Sequence, residues 1–85
     1  MESSSVVVYP VPNDGRFIVT LKNPGPSPYV LKVINAVGET MFEQRGISGM
    51  GELKIPVDLG NPTAGIYLLT IENDKQRLMR KVVVR

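Results

Sequence analysis

The side chains that could do acid–base, metal or nucleophilic chemistry are few. Histidine and cysteine are both absent, which removes the usual general base, the usual zinc ligand, every thiolate and every disulfide. The acids are Glu2, Asp14, Glu39, Glu43, Glu52, Asp58, Glu72 and Asp74. Each falls beside a turn or at an outward position of an extended run, and none forms a D-x-[DN]-x-[DN]-G calcium loop. A glycosidase-type carboxylate pair needs a cleft that a lone 85-residue β domain rarely has. Ser3, Ser4, Ser5, Ser27 and Ser48 lie in leader or loop without a base beside them. Gly46-Ile47-Ser48-Gly49-Met50-Gly51 is glycine-rich, but a phosphate cradle also needs a following helix, and nothing after Gly51 has a helical period. No enzymatic activity, bound metal or cofactor is expected.

The strongest concentration of charge is at the carboxyl end. Lys75, Arg77, Arg80, Lys81 and Arg85 crowd the last extended run, and no acid follows Asp74. On a strand, Arg77, Met79, Lys81, Val83 and Arg85 share one face, while Leu78, Arg80, Val82 and Val84 share the other. Two readings stand. The charges could be a solvated edge that discourages aggregation, or a recognition stripe for an acidic partner. A net charge of +2, with no aromatics interleaved, does not point to nucleic acid.

The elements that must position this stripe are all strands. Ala64-Gly65-Ile66-Tyr67-Leu68-Leu69-Thr70-Ile71 is apolar on both faces and bounded by Gly60-Asn61-Pro62 and Asn73-Asp74, which marks a central strand. Tyr67 stands two residues before inward Leu69, as in the tyrosine corner of immunoglobulin-like sandwiches. There the hydroxyl would bond backbone in the Asn61–Thr63 corner. An ordinary core tyrosine at a strand start reads equally well.

Taken in order, Val6–Tyr9 is a short strand stopped by Pro10-Val11-Pro12, so it lies at a sheet edge or changes sheet there. Asn13-Asp14-Gly15 turns the chain into Arg16–Lys22, with Phe17, Val19 and Leu21 inward and Arg16, Thr20 and Lys22 facing water. Asn23–Pro28 is a proline-stiffened loop. Tyr29–Asn35 and Glu39–Arg45 form a hairpin around Ala36-Val37-Gly38, with Gly38 left-handed. Glu52–Leu59 alternates, and Pro56 assigns it to an edge. Gln76–Arg85 closes the chain. Seven short strands with no helical period predict an all-β fold: an immunoglobulin-like antiparallel sandwich, with a small barrel as the alternative. No run approaches the roughly 20 apolar residues of a membrane-spanning helix. Met1–Ser5 has no signal-peptide features and reads as a polar leader, so residues 6–85 are expected to be one domain excised from something longer.

At this point the motifs add up. The chain resembles the type A C-terminal sorting domain of the Bacteroidetes type IX secretion system. Tyr9-Pro10-Val11-Pro12-Asn13-Asp14-Gly15-Arg16-Phe17 is similar to that family's Y-P-N-P…G-x-[FV] opening, with Val11 in place of the usual Asn. Val33-Ile34-Asn35-Ala36-Val37-Gly38-Glu39 is similar to its V-Y-[DN]-x-x-G-[KQE] hairpin, with Ile34 in place of Tyr. Pro56-Val57-Asp58-Leu59, Ala64-Gly65-Ile66-Tyr67-Leu68-Leu69 and Lys81-Val82-Val83-Val84-Arg85 resemble the remaining segments in family order.

The resemblance implies a non-catalytic address on a larger cargo, exported through the periplasm of a Gram-negative bacterium to the surface or medium. Its implied partners are the fused N-terminal cargo, the outer-membrane translocon and a sortase-like peptidase that removes the domain. Partner binding would then fall to Lys81, Val82, Val83, Val84 and Arg85, with Arg77 and Arg80, by charge complementarity and strand addition. Tyr9, Pro10, Pro12, Asn13, Gly15, Gly38, Gly65 and Tyr67 would be structural. The same exposed strand could also pair with a copy of itself. The competing reading is an accessory carbohydrate- or protein-binding module, but Tyr9, Phe17, Tyr29, Phe42 and Tyr67 mostly fall on inward positions and leave little aromatic platform.

Overall fold

A computed structural model describes residues 4–85; the first part of the polar leader lies outside the described residues. Seven strands form in chain order: β1 (Ser5–Tyr9), β2 (Arg16–Lys22), β3 (Tyr29–Ile34), β4 (Thr40–Ile47), β5 (Leu53–Asp58), β6 (Gly65–Glu72) and β7 (Arg77–Val84). They build two antiparallel sheets, one ordered β1-β2-β5 and the other β4-β3-β6-β7. The alternation of β-branched and aromatic residues with polar ones explains both layers: the strands bury one face, except β4, where only Ile47 is buried and Phe42 half-buried. The chain changes sheet between β2 and β3, β4 and β5, and β5 and β6, the Greek-key connectivity of an immunoglobulin-like sandwich whose fourth strand lies beside the third.

The core lies between the layers. Val6, Phe17, Val19, Leu21, Ile55 and Val57 from one sheet meet Tyr29, Leu31, Val33, Leu69, Ile71 and Val82 from the other. As its apolar faces require, β6 is interior, paired with β3 on one side and β7 on the other. The proline-marked strands β1 and β5 are both edges, where a missing N–H costs no ladder bond.

Four details differ from expectation. The first strand begins at Ser5, and Ser4 hydrogen-bonds Asn23 and Gln76, so these two serines belong to the fold. β4 runs on through Gly46 to Ile47, whose side chain is buried opposite Tyr29 after a register shift. Tyr9 is exposed and Phe42 only half-buried, whereas Phe17, Tyr29 and Tyr67 are core. Thr20, expected to face water, is only 3% exposed. It does sit on the outer face of its sheet, but its cross-strand neighbours Val7 and Lys54 cover it.

Candidate functional site

β7 pairs with β6 along its full length, from Gly65↔Val84 to Glu72↔Arg77. Eight paired positions hold the basic run in one register, which settles which side chains point where. Val82 and Val84 are buried and Leu78 packs against the core. Arg77, Met79, Lys81, Val83 and Arg85 face outward. Arg77 lies opposite Glu72 and its Nε reaches Glu72 Oε2 at 3.4 Å. Lys81 and Arg85 find no acidic partner among the described residues.

The open edge of β7 is occupied at its carboxyl end. Asn13 forms a parallel bridge with Val84: its N–H donates to the Val83 carbonyl at 3.0 Å, and its carbonyl accepts from the Arg85 N–H at 2.8 Å. The expected change of sheet after Pro10-Val11-Pro12 therefore takes place. The chain leaves β1 on one sheet and touches β7 on the other, with both X–Pro bonds cis. Asn13 is held in turn by its own side chain, which donates to the Pro10 carbonyl at 2.9 Å and accepts from the Gly15 N–H at 2.9 Å.

Arg80 closes the other part of this edge. Placed on the core face of β7 but too long and charged to be buried, it leans across the seam between the sheets. Its Nε donates to the Val6 carbonyl at 3.1 Å and its Nη1 to the Met79 carbonyl at 2.7 Å. Backbone groups of alternate residues point the same way, so the N–H and C=O of Lys81 face this edge too.

The structural positions assemble around this strand. Gly15 has φ of +107°, and a Cβ there would lie 2.6 Å from Pro62 Cγ, so the turn admits only glycine. Its carbonyl accepts from the Leu59 N–H at 2.9 Å, fixing the Asn13 loop to the end of β5. Tyr67 donates its hydroxyl to the Thr63 carbonyl at 2.6 Å, which decides for the tyrosine corner. Gly65, also at positive φ, opens that strand.

At the β3–β4 turn, Gly38 has φ of +90° and the Asn35 carboxamide accepts from the N–H groups of Val37 and Glu39 at 3.1 and 2.9 Å. Asn35 escaped the sequence reading as a functional position, although an Asn three residues before a turn glycine is the signal for such a loop. Gln76 is a second unforeseen contributor, since its amide bonds Tyr29 and Ser4 across the end of the sandwich.

Among the described residues no group of three or more acids gathers as a metal site would require. A groove lies between the edges of β4 and β5, lined by Phe17, Phe42, Pro56 and Val57. Its charged members, Arg16 and Asp58, face each other at 3.6 Å and neither has a nucleophile beside it. No helix of the described chain is long and apolar enough to cross a membrane.

The fold and this strand define a small immunoglobulin-like module that presents a charged strand on a β scaffold. The family model described as "Secretion system C-terminal sorting domain" matches residues 7–85, and the chain belongs to that family. No curated protein matches it. Membership carries the role of a secretion sorting signal, hence a fused cargo, a secretion machinery to read the signal, and a destination at or beyond the cell surface.

Proposed function

We propose that this chain is the folded address of a larger exported protein, read by the outer-membrane translocon of the type IX secretion system. The cargo, fused ahead of the sandwich, reaches the periplasm of a Gram-negative bacterium by its own signal peptide. The domain then directs it across the outer membrane, and a sortase-like peptidase at the surface removes the domain. The domain itself is non-catalytic. The observation that carries this reading is the family match over residues 7–85, ending on a strand whose outward cations are held in register.

Within that strand the roles divide. Lys81 and Arg85 point outward without an acidic partner and attract an acidic surface. Arg77 is compensated by Glu72, Arg80 is turned onto Val6, and Val82 and Val84 are buried. These four support recognition by holding the strand, and Val83 sits beside the contact. A sugar-binding role lacks a platform, since Tyr9 is the one aromatic residue exposed among those described.

The test is a reporter carrying a secretory signal at its start and this chain at its end, expressed in a bacterium that has the system. Surface delivery is expected for the parent fusion and periplasmic retention for Lys81→Glu combined with Arg85→Glu. A parent fusion that stays in the periplasm would overturn the sorting role.

A further inference from the structure

The outward face of the four-stranded sheet carries more than the charges of β7. Ile34 on β3 lies directly opposite Leu68 on β6, and Ile66 on β6 lies opposite Val83 on β7. These four are neighbours on one face, because each alternates with a core residue of its own strand. Ile66 is 56% exposed; Met79, 46% exposed, lies two rows away on the same face, opposite Thr70. Lys81 stands opposite Leu68, and Lys32 opposite Thr70 in the adjoining row. Ile34, Ile66, Leu68 and Val83 thus form one apolar patch, with Lys81 in its row, Lys32 in the next, and Glu39 lining the groove beside Ile66.

Charge says what would cover it. The acids on this face, Glu43 and Glu72, are tied to Arg45 and Arg77 at 2.5 and 3.4 Å. Lys81 and Arg85 have no ion pair among the described residues, while Lys32 stands opposite Glu43 on β4. Two copies of one such face would bring like charges together, which disfavours a symmetric dimer through it. Membrane-inserting surfaces rely on aromatic residues, and none points outward from this sheet. An apolar centre with a charged rim is the anatomy of a protein–protein interface. Strand addition along β7 is obstructed at the end of the strand, where Asn13 uses the Val83 carbonyl and the Arg85 N–H.

Resting on the sorting role above, we propose that the outer face of this sheet, centred on Ile34, Ile66, Leu68 and Val83 and edged by Lys32 and Lys81, docks the secretion machinery. The occupant is a protein with an apolar surface bordered by carboxylates. Recognition is thus spread over β3, β6 and β7 instead of residing in the last strand alone.

The reporter fusion tests this with Ile66→Asp and Leu68→Asp, set against Val7→Asp and Lys54→Glu on the opposite sheet. Each purified chain is first checked by thermal unfolding. Should either Asp variant unfold, Lys32→Glu with Lys81→Glu replaces it, since both lysines are surface charges. Surface delivery should fall about tenfold or more for variants of the proposed face, as loss of an interface hot spot would cause, and stay within about twofold of the parent for the controls. A photo-crosslinking residue at position 66 should capture a protein during export, and one at position 7 should not. Normal delivery of the face variants beside an exported parent would overturn the docking surface while leaving the sorting role intact. Retention of the parent itself would overturn both. Equal loss for the controls, sedimentation of the chain with phosphatidylglycerol vesicles, or a dimer abolished by Ile66→Asp would also overturn it.

Discussion

Asn13 and Val84 form one rung between segments from opposite ends of the domain, closed by bonds of 3.0 and 2.8 Å through Val83 and Arg85. The Asn13 side chain keeps the loop shaped for that rung. Asn13→Ala leaves the buried Gly15 N–H without its acceptor and should cost about 1–2 kcal/mol. Amide exchange at Arg85 should accelerate markedly while Val82, bonded within the sheet, stays protected. Unchanged exchange at Arg85 would show that the rung does not depend on the side chain.

Tyr67 should behave as a pinned ring. Tyr67→Phe keeps the core filling and loses only the 2.6 Å bond to the Thr63 carbonyl. A loss of about 1 kcal/mol is expected, with the urea m-value unchanged. A cost below a few tenths would mean the corner is held by packing alone.

Gly15→Ala should be the most damaging glycine replacement tested by unfolding. It combines φ of +107° with a methyl placed 2.6 Å from Pro62 Cγ. About 2–4 kcal/mol is expected from backbone strain and overlap together. Gly51→Ala, where a methyl would meet nothing within 4 Å, should cost about 1 kcal/mol from its φ of +75°.

Thr20→Val should stabilise the domain. The Thr20 hydroxyl is buried with no hydrogen-bond partner among the described residues. Replacing it by a methyl of like shape should gain about 1 kcal/mol in thermal or urea unfolding. A loss of stability would reveal a partner for the hydroxyl.

Much of the fold was legible because alternation is a local signal. Phe17, Val19 and Leu21, or Tyr29, Leu31 and Val33, declare a buried face by spacing alone. The edge positions of β1 and β5 followed from proline chemistry, and the division of β7 into two faces from period two. What stayed hidden depends on neighbours from elsewhere in the chain. The covering of Thr20 by Val7 and Lys54 is a cross-strand fact. Arg80 reads as one more surface cation until Val6 is placed beside it. Asn13 reads as a turn former, and nothing local says that its backbone meets Val83 and Arg85. The apolar patch was missed for the same reason: Ile34, Ile66, Leu68 and Val83 come from three strands and meet only once the sheet is assembled.

The rung between Asn13 and β7 also imposes a timetable. Its two halves are among the earliest and latest parts of the domain to leave the ribosome, and Val82 and Val84 complete the core only when they arrive. A polypeptide interrupted before these residues cannot fasten the seam, so any passenger ahead of it would lack a finished label. Completion of the last strand and closure of the seam become the same event.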